Sequence, residues 1–178
     1  NPEGLLPQRK PIYLENKCMH CRNCEKQGAS KIVYQDRPVF IEDDLDEVFK
    51  YCPTDAIQYD SSYYSLEELV DKVMEDEVFF KYGGGVTVSG GEPFMQQKKL
   101  IQLLEELHTK VHTAIETSLY TSLDLVKQAA PYLDQIYCDL KIEDDKAHLE
   151  ATGVSNTIIK ENLFYLLTSE HKDKVIVR

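Results

Sequence analysis

From residue 65 to the end of the chain, helical patterns alternate with short apolar segments that are typical of strands. The four predicted strands are GVTVS, VHTAIETS, QIYCDL and KVIVR, at residues 85–89, 111–118, 135–140 and 174–178. Because each strand follows a helical segment, the pattern predicts right-handed βαβ units and a parallel sheet. Four parallel strands cannot close the common eight-stranded barrel. Since the last segment is apolar and no helix follows it, we expect a fragment, or a sheet edge that something else covers.

The helices of this alternating region are predicted from their boundaries and their apolar faces. Ser65 and Glu68 have the spacing of a capping box, which starts a helix. Further helices are predicted at about residues 93–109, 122–130 and 156–170. The first and the last have apolar residues at helical spacing, and the second stops at Pro131. With 178 residues in total, the chain is long enough for one domain, or for one domain with a small insert.

Charge and composition exclude several kinds of partner. The formal net charge is −11 and the sequence pI is about 4.9, which argues against binding to nucleic acid or to an anionic membrane. No apolar run is long enough to span a bilayer, and the opening segment NPEGLLPQRK lacks the apolar core of a signal peptide. Five cysteines, four of them at metal-type spacing, fit a reducing cytoplasm better than a disulfide framework. We therefore expect a cytoplasmic protein.

Four cysteines near the start of the chain have the spacing of an iron–sulfur site. Cys18, Cys21 and Cys24 form a C-x2-C-x2-C run, and Cys52 stands directly before a proline, as in bacterial ferredoxin sequences. Together they supply the four thiolates of one [4Fe–4S] cluster. A zinc site is the alternative, although zinc sites usually show two separated C-x2-C pairs or a Cys/His pair. His20, inside the run, is expected to be exposed rather than a ligand.

Short elements are predicted around these cysteines. Residues 31–34 and 39–41 form a predicted hairpin, and residues 56–59 form a further strand. The acidic run at 42–47 indicates the start of a short helix, since acidic residues favour helix N-termini. Residues 1–17 show little periodicity and are predicted to be a linker.

A glycine-rich stretch, YGGGVTVSGGEPFMQ at residues 82–96, carries the second candidate site. It lacks the lysine of a phosphate-binding loop and the G-x-G-x-x-G spacing of a dinucleotide site. Gly90, Gly91 and Glu92 instead follow a predicted strand and precede a proline that starts a helix. Glycines allow a ligand close to the backbone, and Glu92 adds a carboxylate at the strand end, where α/β folds place their sites. Such a site suits an ammonium group better than a phosphate.

The same stretch resembles the signature of the glycyl-radical-enzyme activating enzymes, the pyruvate formate-lyase activase family of radical S-adenosylmethionine enzymes. Five other segments are similar to family motifs: NPEG at 1–4, ETS at 116–118, DLK at 139–141, HLEATGVSNTIIKENL at 148–163 and VIVR at 175–178. The resemblance covers nearly the whole chain in order. The family's C-x3-C-x2-C motif, which holds the catalytic cluster, is absent from this sequence and would lie just before Asn1.

For the fold, the resemblance implies an α/β protein that forms part of a partial (β/α)6 TIM-like barrel, with a small α+β ferredoxin-like insert. Residues 61–178 would supply four parallel βα units of the barrel. Residues 18–60 would form the insert with one auxiliary [4Fe–4S] cluster, because a single set of ligands is present. Residues 1–17 would be a linker after the radical-cluster loop. Leu119 stands where the family usually has glycine, so the local turn is expected to differ.

For the site, the resemblance implies that Gly90, Gly91 and Glu92 hold the amino group of S-adenosylmethionine. Asp139 and Lys141 would lie near the same cofactor, with Lys141 paired to its carboxylate, and a surface ion pair is the alternative. No catalytic residue is expected in this fragment, because the resemblance assigns the catalytic [4Fe–4S] cluster to cysteines of the full-length protein.

Two further sets of residues receive roles by resemblance. A monovalent cation site would be built from Glu116, Thr117, Cys138 and Asp139. Cys138 lies on an apolar strand and is otherwise a buried thiol. The other set would contact or shape the partner's glycine loop, with simple packing as the alternative. Its members are His148, Thr152 and Gly153.

The implied activity is the generation of a glycyl radical on a partner enzyme under anaerobic conditions. Reductive cleavage of S-adenosylmethionine would give a 5′-deoxyadenosyl radical, which would remove a hydrogen atom from a glycine of that partner. The auxiliary cluster would pass electrons or dock a donor such as flavodoxin or ferredoxin. This fragment alone is expected to be inactive.

Two alternative functions stand beside this one. A ferredoxin-like electron carrier needs only residues 18–60, and it leaves the SGGEP and DLK motifs unexplained. A radical S-adenosylmethionine enzyme that acts on a small molecule leaves the HLEATG segment unexplained.

Overall fold

The computed structural model describes residues 9–178, so that the NPEG segment and the first part of the predicted linker lie outside the described residues. Within the described range, the chain divides into two compact units, and the division falls between Tyr63 and Tyr64. The cysteine run lies in the first unit, and the alternating helices and strands lie in the second.

The first unit consists of two antiparallel strand pairs and two short helices within the described residues. These elements are β1 (Pro11–Tyr13), α1 (Asn23–Gln27), β2 (Ile32–Tyr34), β3 (Pro38–Phe40), α2 (Asp46–Phe49) and β4 (Ile57–Tyr59). β2 pairs with β3, with Val33 opposite Val39, which confirms the predicted hairpin. α2 begins at Asp46, near the end of the acidic run, so that most of the acidic residues precede the helix.

β1 is a strand that the sequence does not predict, and it lies inside the segment predicted as a linker. It pairs with β4 in antiparallel register, with Pro11 opposite Tyr59 and Tyr13 opposite Ile57. Three residues are too few to show alternation, and their strand conformation depends on a partner that is distant in sequence. The buried core of the unit contains Cys24, Ile32, Leu45, Val48 and Ile57.

The second unit contains the predicted parallel sheet. Its elements are α3 (Leu66–Met74), α4 (Glu77–Phe80), β5 (Gly85–Val88), α5 (Lys98–Leu107), β6 (His112–Thr117), α6 (Leu123–Ala129), β7 (Gln135–Cys138), α7 (Asp145–Thr152), α8 (Thr157–Thr168) and β8 (Val175–Val177). Within the described residues, the strands lie in the order β5-β6-β7-β8, and every neighbouring pair is parallel. The carboxyl ends of the strands therefore meet at one edge of the sheet. The predicted α/β class with a four-stranded parallel sheet is confirmed.

The helices of the second unit differ in how well the sequence predicts them. Ser65 caps α3 by accepting the N–H of Glu68, whose side chain accepts the N–H of Ser65 in return, so the capping box is confirmed. The helix predicted from residue 93 is broken, because Pro93–Gln96 form a 3-10 turn and Gln97 takes a φ of 43° before α5 begins. The sequence does not predict α4, which is one turn long, or α7, which buries only His148. Among residues 9–178, no helix is long and apolar enough to cross a membrane.

The core of the second unit joins the sheet to its helices. Its most buried large residues include Leu104, Ile115, Leu119, Leu133, Ile136, Ile159 and Leu166. β5 is less buried than the sequence predicts, because Gly85 and Thr87 are exposed while Val86 and Val88 are half-buried. β5 ends the strand order, so one of its edges lacks a neighbouring strand within the described residues.

Candidate functional site

A cavity lies at the edge of the second unit where β5, β6 and β7 have their carboxyl ends. Its volume is about 370 Å³, which is typical of small-ligand sites. The lining residues are Ser89, Gly90, Gly91, Glu92, Glu116, Thr117, Ser118, Asp139 and Lys141. All five residues predicted to hold S-adenosylmethionine therefore line one cavity. The parallel register brings them together, because each group of residues stands at the end of a different strand.

The charges of the cavity favour a ligand with a positive group. Among its described lining residues, the carboxylates are Glu92, Glu116 and Asp139, and the single cationic side chain is Lys141. Arg178 pairs with Glu116 and Asp139 from outside the lining set. With Lys141 and Arg178 both counted, the carboxylates still exceed the cations by one, so an ammonium or sulfonium group is favoured over a phosphate. Lys141 can still pair with a carboxylate of the same ligand.

The backbone conformation at the cavity requires glycine at position 90. The φ of Gly90 is +123°, a value that other L-residues rarely adopt. A Cβ built at Gly90 would meet nothing within 4 Å, so the constraint is the dihedral angle and not a lack of space. An alanine at this position would therefore force the loop to change its path.

Glu92 connects the loop after β5 to the loop after β6. Its Oε1 accepts the hydroxyl of Thr117 at 2.6 Å and the N–H of Phe94 at 3.2 Å. Its Oε2 accepts the N–H of Ser118 at 2.9 Å and the hydroxyl of Ser118 at 2.6 Å. A carboxylate has about four lone-pair sites, and these contacts use all of them. The sequence predicts Glu92 as a ligand of an ammonium group, but it does not predict this tether between two strand ends.

Leu119 has a left-handed conformation that is unusual for leucine. Its φ is +58°, which costs a residue with a Cβ about 1–2 kcal/mol. Two hydrogen bonds hold the turn: the N–H of Leu119 donates to Oγ1 of Thr117 at 2.9 Å, and the N–H of Thr121 donates to the Leu119 carbonyl at 2.8 Å. The Leu119 side chain is only 1% exposed, so its burial offsets the strain. Leucine thus occupies a conformation that glycine adopts without strain.

At position 119, a glycine variant should be more stable than an alanine variant, although alanine is usually the more stabilising of the two residues. Both variants lose the buried leucine side chain, and we expect each to be destabilised by about 2–5 kcal/mol. Leu119→Gly also relieves the left-handed strain, so it should be the more stable of the two by about 1 kcal/mol. Urea denaturation of the two variants measures the difference. A more stable alanine variant would contradict the left-handed conformation of this turn.

Arg178 is a site residue that the sequence analysis does not predict. Its guanidinium lies 2.8 Å from Oε1 of Glu116 and 3.2 Å from Oδ1 of Asp139, and Lys141 Nζ lies 3.0 Å from the other oxygen of Asp139. The hydrogen bond to Glu116 raises the pKa of Arg178 above its ordinary value. Because the Lys141 side chain is 66% exposed, its ion pair adds little stability by itself. The sequence signal for Arg178 is only an arginine at a strand end, which does not indicate a role.

The monovalent cation site stays a prediction. Within residues 9–178, no group of three or more His, Cys, Asp or Glu side chains is arranged to hold a metal ion. The Thr117 hydroxyl is donated to Glu92, and Glu116 pairs with Arg178. Cys138 is fully buried, and this burial raises the pKa of its thiol to about 11. The thiol is therefore protonated at neutral pH, which favours the alternative of a buried structural cysteine.

The segment after α7 is shaped by contacts of its own residues. His148 is 3% exposed, and its Nδ1 lies 2.8 Å from the carbonyl oxygen of Val154. The hydroxyl of Thr152 donates to the His148 carbonyl at 2.8 Å, and Gly153 ends the helix with a φ of +81°. These contacts favour the packing alternative for His148 and Thr152, and contact with a partner stays a prediction.

The four predicted cluster ligands all lie in the first unit. Cys24 is buried in the core, and Cys52 packs against the same core, while Cys18 and Cys21 are partly exposed. Burial raises the pKa of Cys24, and the nearby thiols of Cys52 and Cys21 raise it further. The fold of this unit therefore brings the distant Cys52 to the run of three cysteines.

Backbone N–H groups stabilise the thiolate form of Cys52. The N–H of Ala56 donates to the Cys52 sulfur at 3.2 Å. Burial opposes ionisation of this thiol, but the N–H groups of Thr54, Ala56 and Ile57 outweigh it and lower the pKa of Cys52. The thiolate is the form that binds iron.

Cys18 has polar neighbours that the sequence analysis does not predict. The N–H of His20 donates to its sulfur at 3.4 Å. Interaction with the neighbouring Cys18 sulfur, together with burial, raises the pKa of Tyr13 to about 12. The Tyr34 hydroxyl lies 2.6 Å from Nδ1 of His20, which is exposed as predicted. Tyr13 therefore stays protonated at neutral pH beside Cys18, and polar neighbours of this kind tune metal-ligating groups.

A comparison with protein families decides the class of the chain. Residues 8–160 match the model of a family described as a 4Fe-4S single cluster domain. That range includes the four cysteines of the first unit and the five predicted cofactor residues of the cavity. The chain belongs to this family.

Curated relatives of this 4Fe-4S single cluster protein are activating enzymes. It is 35% identical to the choline trimethylamine-lyase activating enzyme of Oleidesulfovibrio alaskensis, over 99% of this chain and 60% of that protein. It is 41% identical to the isethionate sulfite-lyase activating enzyme of Nitratidesulfovibrio vulgaris, over 100% of this chain and 62% of that protein. The resemblance to the glycyl-radical-enzyme activating enzymes is confirmed by these relatives. The chain spans about 60% of the length of the curated relatives named here.

A solved structure is also similar to this 4Fe-4S single cluster protein. It is a domain of the pyruvate-formate lyase-activating enzyme from Bacteroides vulgatus, with a TM-score of 0.47 and 28% sequence identity. The likeness covers 54% of this chain and 59% of that one.

The donor set of the first unit fits an iron–sulfur cluster by its chemistry. It offers four thiols in one unit, with backbone N–H groups that favour the thiolate of Cys52. The family description, a 4Fe-4S single cluster domain, favours the cluster over zinc for this donor set.

Proposed function

We propose that the protein containing this chain is an activating enzyme that generates a glycyl radical on a partner enzyme with S-adenosylmethionine. The observation that carries the proposal is the cavity at the strand ends. It combines three carboxylates and one lysine within the described residues, a charge pattern that suits an amino acid with an added sulfonium charge. A ferredoxin-like electron carrier is not favoured, because the family match extends over the second unit and the relatives are activating enzymes.

In this proposal, different cavity residues bind different groups of the methionine part of S-adenosylmethionine. Backbone groups of Gly90 and Gly91 contact the ammonium group, since glycine leaves the backbone accessible. Glu92 contributes negative charge while its oxygens tether Thr117 and Ser118. Lys141 turns from Asp139 to the carboxylate of the ligand, which its exposed side chain permits.

The redox groups of the proposal are iron–sulfur clusters. When bound by the cysteines of the family motif in the full-length protein, the catalytic cluster supplies the electron that cleaves S-adenosylmethionine to a 5′-deoxyadenosyl radical. Cys18, Cys21, Cys24 and Cys52 hold one auxiliary cluster. The proposed electron donor for this cluster is flavodoxin or ferredoxin.

The proposal also specifies the fold of the two units, the partner and the compartment. The second unit is part of a partial (β/α)6 barrel, and the first unit is a ferredoxin-like insert. The partner is a glycyl radical enzyme, and the protein works in the cytoplasm under anaerobic conditions, where the radical survives. Relatives whose names refer to lyases and decarboxylases support a protein partner.

The proposed function is tested on the full-length protein after anaerobic reconstitution with iron and sulfide. With a reductant and S-adenosylmethionine, we expect 5′-deoxyadenosine. With glycyl radical enzymes of the same organism as candidate partners, we expect electron paramagnetic resonance to show a radical on one of them. Formation of 5′-deoxyadenosine with a small-molecule product and no radical on any partner would instead support the small-molecule alternative.

Alanine at position 90 should weaken the binding of S-adenosylmethionine by about tenfold or more. The backbone at Gly90 excludes a Cβ by its dihedral angle, and forcing one costs about 1–3 kcal/mol or moves the loop. Gly83→Ala is the matched control, because Gly83 also has a positive φ, +90°, and open space around it. Gly83 precedes β5, at the end opposite the cavity. Isothermal titration calorimetry should therefore show weaker binding only for Gly90→Ala, and equal losses in both variants would contradict the assignment.

A further inference from the structure

Two buried asparagines in the second unit hold the loops that leave β6 and β7. Asn156 directly precedes α8 and Asn162 lies within it, and both are 0% exposed. Each uses its side-chain amide N–H groups as donors to two backbone carbonyls. The acceptors lie in two different loops, and each of these loops contributes to a wall of the cavity.

Asn162 holds the loop after β6. Its Nδ2 donates to the carbonyl of Leu119 at 2.9 Å and to the carbonyl of Thr121 at 2.8 Å. These carbonyls belong to the turn that begins at the left-handed Leu119, the residue after Ser118, which lines the cavity. Glu92 binds the same turn from the cavity side, so the turn is held from two sides.

Asn156 holds the loop after β7 in the same way. Its Nδ2 donates to the carbonyls of Ile142 and Glu143, each at 2.9 Å. These residues directly follow Lys141, which lines the cavity. The backbone of Asn156 is fixed in turn, because its N–H donates to Oδ1 of Asp145 at 2.8 Å.

The side-chain oxygens of the two asparagines indicate why an amide occupies each position. Oδ1 of Asn156 and Oδ1 of Asn162 are buried, and neither has a hydrogen-bond partner within the described part of the chain. A buried acceptor without a partner destabilises the fold. Leucine has a similar volume and would avoid that cost, but it would leave the loop carbonyls without these donors. The donors, and not the bulk of the side chain, are therefore what these positions supply.

We propose that Asn156 and Asn162 are positioning residues that clamp the two cavity loops from α8 and so set the affinity of the cavity for its ligand. The part of the proposal that concerns S-adenosylmethionine rests on the proposed function. The clamping of the loops does not, because it follows from the hydrogen bonds alone. Neither asparagine touches the cavity itself, so each acts through the loop that it holds.

The test uses Asn156→Leu and Asn162→Leu in the full-length protein, with two readouts. Hydrogen–deuterium exchange should become faster at residues 118–121 in Asn162→Leu and at residues 142–144 in Asn156→Leu, each variant affecting its own loop. The dissociation constant for S-adenosylmethionine, measured well below the unfolding temperature, should rise by about tenfold in each variant.

The control is Leu166→Ala, one turn after Asn162 on α8. Leu166 is 0% exposed, so this variant should lower the melting temperature, yet it leaves both clamps in place. Its affinity for S-adenosylmethionine should stay within about twofold of the wild type. If Asn162→Leu does not fold, the milder Asn162→Ser, which keeps one donor, carries the same test.

The outcomes separate this inference from the proposed function. Unchanged exchange in both loops would overturn the clamps, and so would an affinity loss in Leu166→Ala that equals the loss in the asparagine variants. If the wild-type protein does not bind S-adenosylmethionine while the loops exchange faster in the variants, the proposed function fails and the clamps stand. If the wild type binds and the loops are loosened without any loss of affinity, the clamps do not position the cavity.

Discussion

Serine in place of Cys52 is expected to abolish the iron–sulfur cluster of the first unit. The Cys52 thiolate is favoured by backbone N–H groups, and Cys52 is the predicted fourth ligand beside the run of three cysteines. A serine hydroxyl remains protonated at neutral pH and is a poor ligand for iron. After anaerobic reconstitution of the full-length protein, iron and sulfide analysis should show a loss of about four irons per chain relative to the wild type. The absorbance that belongs to this cluster should be lost with them.

The matched control for this variant is Cys138→Ser. Cys138 is buried in the second unit, and its raised pKa of about 11 keeps it a thiol, so serine there should leave the iron content unchanged. Equal iron in the wild type and in Cys52→Ser would remove Cys52 from the ligand set. One equivalent of zinc in the wild type, in place of iron, would reject the cluster itself.

Glutamine in place of Glu92 is expected to disrupt the cavity even though it keeps the size of the side chain. One carboxylate oxygen becomes an amide NH2, which then faces donors, either the Ser118 N–H and hydroxyl or the Thr117 hydroxyl and the Phe94 N–H. Loss of hydrogen bonds to a charged group costs about 1.5–3 kcal/mol. The loops after β5 and β6 should separate, and the affinity for S-adenosylmethionine should fall by about tenfold or more. Calorimetry and urea denaturation measure the two effects.

Asp134→Asn distinguishes this effect from a general loss of stability. Asp134 also connects two strands, since its Oδ2 accepts the N–H of Thr113 at 2.8 Å, but it precedes β7 at the opposite edge of the sheet. The variant should be less stable than the wild type and should bind S-adenosylmethionine with unchanged affinity. An affinity loss of the same size in both variants would mean that Glu92 acts only through global stability.

Much of the fold could be predicted from the sequence, because the decisive patterns are local. The capping box at Ser65 and Glu68 depends on residues three apart, and the four parallel strands are short apolar runs between helical segments. Where pairing is remote, prediction fails. β1 is a strand only because β4 lies beside it, and the break at Gln97 depends on backbone dihedral angles that the helical pattern of its neighbours conceals.

The candidate site could likewise be predicted only in part. The cavity residues of SGGEP could be identified from glycines and a carboxylate at a strand end, and those of DLK from the family resemblance. Their connections could not, because hydrogen bonds between separate loops leave no local signal. The tether from Glu92 to Ser118 and the pairing of Arg178 with Glu116 are of this kind. The turn at Leu119 could not be predicted either, because leucine gives no indication of a left-handed conformation.

The sequence by itself determined the chemistry of this protein: four thiols at ligand spacing, and a glycine-rich strand end that carries a carboxylate. Residue type and short-range spacing carry that information. Only the tertiary structure decided how the groups are held. It brings Cys52 to the other cysteines, and it uses Glu92, Asn156 and Asn162 as donors and acceptors between distant loops. The physical reason is that most buried polar groups form hydrogen bonds, and the fold determines which partners are within reach.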